Sequence, residues 1–389
     1  MVNAMKYLSE STIRNKRVIL RCDFNVPVSD GIIKDDSKII RSLRTIRYLL
    51  ENNNKVIILS HFGRVKKEED KLHNSLYPVY KELKKYIDLD FIENPLNLDE
   101  INNSDKYCFL VENTRWTDLP EKRESNNELE LARYWSTFGN IFVLDAFGSM
   151  HRIHASTAGL SKYLPTYLGF LVEEELKNLN ILIDNPEHPF VVIMGGAKVD
   201  DKIQIIERII KKCDKLILTG GILNTFLKVS GKEIGASLVS ENEDVLQSVK
   251  NILNTYSEKI FFTDKFSIKR NNLVKEVVVN EVLKDDIIYD NITNLKSVLE
   301  DAKIIFLNGT CGKYEEEDYY KGTYNLLNDL NDINAKIIVG GGDTVSAVIK
   351  FAFKKNIYYL SSGGGATLEY VAYGELRSLK WILENGVDN

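Results

Sequence analysis

Cysteine is scarce in this chain and scattered where it occurs. The four thiols, Cys22, Cys108, Cys213 and Cys311, lie far apart with no CxxC pair, which argues against a disulfide framework or a zinc cluster and leaves reduced thiols as the default. No apolar run approaches the roughly 20 residues of a membrane span, and the opening MVNAMKYLSESTIRNK has no hydrophobic stretch of signal-peptide type. A cytoplasmic protein with no membrane partner is expected. Net charge is also small: 51 basic against 56 acidic side chains leave −5, too little of either sign for a global field that would hold a polyanion. Nucleic acid is therefore not an expected partner, and any anion site must be local. Sequence repeats and low-complexity tracts are absent, and the charge clusters at 66–71 and 315–318 are short enough to be solvated loops.

What the chain does contain is a recurring alternation. Short β-branched runs (RVILRCDF, VIILSHF, YCFLVEN, IFVLDAF, VVIMGG, KLILTGG, KIIFLNG, KIIVGGG, IYYLSSGGG) are separated by helix-length amphipathic stretches, the pattern of parallel α/β architecture. Several runs are continuously apolar, as strands covered by helices on both faces must be. The length of 389 residues suits two domains. The expectation is an α/β chain of two doubly wound parallel-sheet domains, Rossmann-like, joined by a hinge helix. Residues 1–169 with the tail 375–389 form the first domain and 186–374 the second. The stretch FLVEEELKNLNILIDNPEHP has helical periodicity followed by prolines, which makes 170–185 the connecting helix.

The two halves differ in the residues just after each strand, the place where open α/β sheets bind ligands. Before residue 190 lie 11 of the 14 arginines and all five histidines; after it lie 17 of the 23 glycines. Arginine and histidine grip a compact anion by directed hydrogen bonds. Glycine-rich turns leading into helices let backbone N–H groups approach a phosphate chain. Two anionic ligands are expected, one per half.

In the second half, GGAKVDDK places Lys198 and Lys202 four residues apart after a strand and two glycines, a spacing that puts them on one face of a helix's first turns. GGGDTVSAV sets Asp343 either as an N-cap or as a ligand to nucleotide-bound Mg²⁺, and SSGGGATLE repeats the arrangement. The Walker A and GxGxxG patterns are missing. In the first half, Asp23 and Asn25 come after one strand, His61 and Arg64 after the next, and Arg115 after another, while His151, Arg152 and His154 come after DAFGSM. On a parallel sheet these strand ends share one edge and form a polar bowl for a phosphate and a carboxylate. Glu112 and Asp145, also at strand ends, either orient these arginines or act in the chemistry. No nucleophile with an adjacent base stands out. Phosphoryl transfer to a carboxylate needs none, because the acceptor is already ionised at pH 7.

The stretches RCDFNVP, SHFGR, ENTRW, DAFGSMHRIHAS, GGAKVDDKI, TGGILNTFLK, NGTCGKYE, GGGDT and SSGGGATLE, in this order and spacing, resemble the phosphoglycerate kinase family. That resemblance implies an ATP-dependent enzyme with a carboxylate acceptor, reversibly transferring a phosphoryl group between 1,3-bisphosphoglycerate with ADP and 3-phosphoglycerate with ATP. It implies Asp23 and Asn25 near the acid's hydroxyl, and His61, Arg64, Arg115 and Arg152 around its phosphate. It implies Lys198 and Lys202 on the nucleotide phosphates, Gly195 and Gly221 near the adenosine, Glu315 on the ribose, and Asp343 on magnesium. Gly309, Gly341 and Thr344 fall in the same nucleotide motifs, and the amides of Gly341, Gly342, Gly364 and Gly365 would cradle the transferring group, Gly342 and Gly365 acting with Lys38 and Lys198 in catalysis. A monomer is implied as well.

The chain also departs from the family. DDSKI puts Lys38 where the family has an arginine meeting the reacting carboxylate, so slower or retuned chemistry is expected. NGTCGKYE makes the adenosine wall more polar through Thr310, Cys311 and Lys313. Val65 replaces a proline, and GELRS replaces KELPG, a change expected to loosen the docking of the tail. The competing readings are a relative acting on another phosphorylated or phosphonylated carboxylate and a non-catalytic nucleotide binder.

Overall fold

The computed structural model describes residues 5–292, 294–353 and 357–387. The chain divides into two compact units, Met1–Lys177 with Glu375–Asn389, and Asn178–Gly374. Positions 388–389 of the tail lie outside the described residues. Among the described residues no helix is long and apolar enough to cross a membrane.

The first unit contains β1 (Arg17–Cys22), β2 (Val28–Ser29), β3 (Ile32–Ile33), β4 (Lys55–Leu59), β5 (Asp90–Ile92), β6 (Cys108–Val111), β7 (Ile141–Asp145) and β8 (Thr166–Leu168). Six of them make one sheet in the order β5-β6-β4-β1-β7-β8, every pair parallel, and β2 and β3 form a separate small hairpin. In β1 every residue after Arg17 is buried, because both faces of the sheet are covered. One cover is the helix Ser37–Glu51, which buries Ile39, Leu43, Ile46 and Leu49 at the three- and four-residue intervals of one helical face. These meet Val18, Leu20, Val56, Ile58, Leu110 and Val143 in a continuous core.

The second unit contains β9 (Phe190–Met194), β10 (Lys215–Leu218), β11 (Ile260–Phe262), β12 (Lys265–Arg270), β13 (Leu273–Val278), β14 (Ile287–Ile292), β15 (Ile304–Asn308), β16 (Lys336–Gly340) and β17 (Ile357–Leu360). Its main sheet runs β11-β10-β9-β15-β16-β17, again parallel throughout. Val191, Ile193, Ile305, Leu307, Ile337 and Val339 pack there against Leu326, Leu330, Ala347 and Val348. Each unit is thus a parallel sheet with helical cover. The antiparallel sheet β13-β12-β14 is an addition that the apolar runs do not announce, since β13 exposes five of its six residues.

The helix Phe170–Leu179 is followed by a short 3-10 turn, Asn180–Leu182, and the boundary between the units falls near its end. The closing helix Arg377–Asn385 belongs to the first unit. Its Ser378 is buried, makes a bond from its own N–H to Met150 O at 3.0 Å and donates its hydroxyl to Arg152 O at 2.6 Å. The GELRS segment, expected to loosen the tail, therefore supplies a docking bond onto the loop that carries Arg152.

Candidate active site

In the first unit the parallel order β6-β4-β1-β7 brings the loops after these strands to one edge. The loop after β1 folds on itself: Asn25 N donates to Asp23 Oδ1 at 3.2 Å, an Asx turn. Asn25 Oδ1 then accepts from Gly63 N at 2.9 Å, joining it to the loop after β4. Gly63 has φ +58, and a Cβ there would lie 1.8 Å from Asn74 Oδ1, so a side chain at that junction is strained and displaces Asn74. Arg115 begins its own turn with N–H to Asn113 Oδ1 at 3.0 Å and donates Nη1 to Gly63 O. Lys38, at the start of Ser37–Glu51, donates to Asp23 Oδ2 at 3.1 Å and to Asn25 O at 3.2 Å. Arg152 Nε donates to His151 Nε2 at 3.0 Å.

Asp23, Asn25, Lys38 and Arg115 are thereby gathered through short bonds, and the His61 ring is held from β1 by Arg21 Nη2 at 3.0 Å. Arg64 lies exposed on the same loop as Gly63, outside this bonded set.

The electrostatics confirm a concentration of positive charge. Burial, then the neighbouring Arg152 and Arg21, lower the pKa of Arg115. Burial, then Arg21, Arg115 and Arg152, push His154 down to about 3. Burial and Arg152 push His151 down to about 4. Burial alone would raise the Asp23 carboxyl, but Lys38, His61 and Arg21 hold it well below the usual carboxylate range. An anion entering here meets cations already crowded together, and its arrival relieves that repulsion.

Glu112 and Asp145 do not orient these arginines through direct bonds. Glu112 accepts from Ser75 Oγ at 2.5 Å, Leu76 N at 2.6 Å and Asn113 N at 2.7 Å, so it staples the loop after β6. Asp145 Oδ1 accepts from Leu171 N at 2.9 Å and Val172 N at 3.1 Å, the first turn of Phe170–Leu179.

In the second unit the ends of β9, β10, β15 and β16 surround a cavity of about 630 Å³ lined by Gly195, Lys202, Gly221, Gly309, Glu315, Gly341, Gly342, Asp343, Thr344, Gly364 and Gly365, with Asn291, Thr310, Cys311 and Lys313 along another wall. The glycines divide into two kinds. A Cβ on Gly195 would lie 2.3 Å from Thr310 O, one on Gly221 2.0 Å from Ala197 O, and one on Gly309 2.3 Å from Gly195 O. These three let neighbouring loops touch. At Gly342, Gly364 and Gly365 nothing lies within 4 Å, so the space before them is open. Gly342 and Gly365 are the first residues of the helices Gly342–Lys350 and Gly365–Tyr373, where unpaired N–H groups and the helix dipole favour an anion.

The shared helical face expected for Lys198 and Lys202 is not present. The helix starts only at Ile203, and Lys202 N donates to Val199 O at 2.8 Å in a tight turn before it. The two glycines and the turn consume the residues that the periodicity would have placed in a helix. Lys202 instead folds back onto Gly195 O at 2.7 Å and Asn308 Oδ1 at 3.3 Å. Burial lowers its pKa, and Asp343 works against that lowering. Lys198 is exposed and stands apart from the cavity lining.

Asp343 is not an N-cap, since Gly341, with φ +96, occupies that position. Its exposed carboxylate lines the cavity beside Thr344, whose Oγ1 accepts from Gly309 N at 2.6 Å. Among the described residues no group of three or more His, Cys, Asp or Glu side chains could hold a metal ion by itself. An exposed carboxylate lining an anion cradle fits a hard cation that arrives already carried by phosphate oxygens.

Two residues that open quoted motifs but have no role assigned there also join these sites: Asn308, first in NGTCGKYE, which also donates Nδ2 to Gly340 O at 2.9 Å, and Arg21, first in RCDFNVP. Arg21 carries the clearer sign, a guanidinium inside an otherwise apolar run.

Known proteins resemble the chain over nearly its whole length. The sequence model of the phosphoglycerate kinase family matches residues 8–373. The chain is 37% identical over 398 residues to the phosphoglycerate kinase of Macrococcus caseolyticus, covering 97% of this chain and 98% of that one. It is 38% identical over 396 residues to that of Staphylococcus aureus, covering 97% and 99%. Among solved structures it is similar to phosphoglycerate kinase from Coxiella burnetii, with TM-score 0.82, 32% identity and 98% of each chain covered. It is also similar to that from Pyrococcus horikoshii, with TM-score 0.85, 26% identity and coverage of 98% and 100%.

Proposed function

This chain belongs to the phosphoglycerate kinase family, and on that premise we propose how its residues carry the family's reaction, reversible phosphoryl transfer between 1,3-bisphosphoglycerate with ADP and 3-phosphoglycerate with ATP. The single observation behind the assignment of sites is the contrast between the two units. One carries His61, Arg115 and Arg152 in the loops after its strands with Lys38 at the start of a helix, and the other opens two glycine-started helices onto a cavity.

Arg115, Arg152, Arg64 and the His61 ring hold the acid's phosphate, while Asp23 and Asn25 take its hydroxyl. The acid's carboxylate is the nucleophile and is ionised at pH 7, so no base is required. Lys38 lies between that carboxylate and Asp23 and neutralises charge as the new bond forms. On the other side Lys202 and Lys198 hold the nucleotide's phosphates, and the amides of Gly342 and Gly365 face the phosphoryl group in flight. Asp343 would hold the nucleotide's magnesium, which would supply charge neutralisation on the phosphate oxygens. The reaction itself demands that acid and nucleotide meet with water excluded, which makes hinge closure part of the reading. The family reading also carries a monomer, which sizing chromatography tests, and a cytoplasmic location, which cell fractionation tests.

The family, the relatives and the structural neighbours favour neither a different acceptor nor a silent binder. The test is a coupled assay with 3-phosphoglycerate and MgATP, with Lys202→Ala as control. Steady turnover that the substitution abolishes supports the assignment. Turnover undiminished by Lys202→Ala removes that lysine from it.

A further inference from the structure

Arg21 sits inside β1 with its side chain fully buried. A charge in such a place is stranded unless it is paired and hydrogen-bonded, and Arg21 uses all three nitrogens. Nε donates to Ser156 Oγ at 2.8 Å, Nη1 donates to Cys22 O, and Nη2 lies 3.0 Å from His61 Nδ1. The counter-charge stands one hydroxyl further on. Ser156 Oγ donates to Glu124 Oε1 at 2.5 Å, and the buried Glu124 also accepts from Ser156 N at 3.0 Å and from Thr114 Oγ1 at 3.2 Å.

A guanidinium has no lone pair to offer and keeps its proton. The bond to His61 therefore runs one way, with Nδ1 as acceptor. A neutral imidazole has a single N–H, so when Nδ1 is a lone pair the proton is on Nε2. A second proton on Nδ1 would set N–H against N–H.

We propose that Arg21 is a positioning residue that stays clear of the acid and fixes His61 as the neutral Nε2–H tautomer, so that the ring offers the substrate phosphate one directed N–H and no charge. The inference rests on the reading of His61 as a phosphate ligand. It divides the labour in the site: Arg115 and Arg152 carry charge, and His61 carries direction.

The groups facing His61 come from three elements: Arg21 and Asp23 at the end of β1, Arg115 after β6, and Lys38 on Ser37–Glu51. Burial, with Arg21, Arg115 and Lys38, holds the ring's pKa well below its ordinary value, against the pull of Asp23. Affinity for the acid is consequently not gated by His61 anywhere near neutrality.

Long-range ¹H–¹⁵N NMR of the labelled enzyme without ligand reads the tautomer directly, with His61→Gln to assign the signal. The expected spectrum has bare Nδ1, protonated Nε2 and no titration of this ring from pH 8 to 5.5. An Nδ1–H tautomer, or a ring that titrates near neutrality, overturns the proposal. A kinetic arm compares KM for 3-phosphoglycerate in wild type and Arg21→Met, the ratio cancelling the titration of the substrate's own phosphate. Freed from Arg21, His61 can carry its one proton on Nδ1 and leave Nε2 bare, while burial and Arg115 still lower its pKa. The variant-to-wild-type KM ratio is then about five- to tenfold near pH 7.5, while the kcat ratio stays near one. A KM ratio near one reduces Arg21 to a structural role. Should Arg21→Met fail to fold, the wild-type spectrum decides alone. Should 3-phosphoglycerate not be turned over at all, the functional reading falls while the tautomer still stands or falls by its own spectrum.

Discussion

The Lys38 ammonium lies 3.1 Å from Asp23 Oδ2 and 3.2 Å from the Asn25 carbonyl, so two of its three protons are committed within the protein. One is left for a reacting carboxylate. An arginine could keep the Asp23 bond and still present parallel N–H groups. Lys38→Arg is expected to raise kcat for 3-phosphoglycerate about tenfold, and Lys38→Met to lower it by about one to two orders of magnitude, the value of one charge-assisted hydrogen bond. Steady-state kinetics checks both. A rate unchanged or lower in Lys38→Arg would mean that the site is built around the shorter cation.

The two kinds of glycine predict opposite phenotypes. At Gly365 a Cβ meets nothing within 4 Å, so Gly365→Ala should fold with a thermal midpoint near wild type yet crowd the transferring group, lowering kcat/KM for MgATP about tenfold or more. At Gly221 a Cβ would sit 2.0 Å from Ala197 O, and Gly221→Ala should lower stability by about 1–3 kcal/mol as the loops are forced apart. Thermal denaturation beside kinetics separates them. Equal loss of stability in both variants would refute the division.

The architecture is readable where burial is two-sided. β4, β9 and β15 stand out as apolar runs, and β1 as one broken only at Arg21, because helices cover both faces of their sheets. β5 and β8, with three residues each, are too short to stand out, and β13 is mostly exposed, so its strand character comes from pairing with β12 rather than from its composition. In the sites, side chains that point at ligands sit in motifs and are legible. The turn that takes Lys202 out of the helix is not, because i,i+4 spacing carries no mark of where a helix begins. Glu124 and Ser156 are equally silent, since a buried network is a property of packing and not of spacing.

Asp290 makes stability depend on pH. It is buried, its Oδ2 accepts from Gly322 N at 2.6 Å, its Oδ1 is unpartnered, and burial pushes its pKa up to about 7. The folded state therefore holds this proton more tightly than the unfolded state, whose carboxyl has its ordinary value near about 4. The contribution to stability is complete below about pH 4 and is lost as pH rises toward 7. Urea unfolding of wild type and Asp290→Asn should show the wild type losing about 2–4 kcal/mol relative to the variant across that interval. A difference that does not change with pH would place the Asp290 pKa in the ordinary range.

Lys202 is half-enclosed between Gly195 O and Asn308, while Lys198 is exposed and apart from the cavity lining. Lys202→Ala should weaken MgADP binding by about 2–3 kcal/mol, and Lys198→Ala by about 1 kcal/mol or less in the unliganded enzyme's calorimetry. The reverse order would mean that Lys198 moves onto the phosphates and is the principal cation there.

The most direct test asks where the phosphoryl group goes. With MgATP and 3-phosphoglycerate in the presence of hydroxylamine, an acyl phosphate formed on the acid's carboxylate is trapped as a hydroxamate. The expected result is hydroxamate formation in step with ADP release, dependent on both substrates and lost in Lys202→Ala. ADP release with no hydroxamate, or binding of both ligands with no transfer, would contradict it.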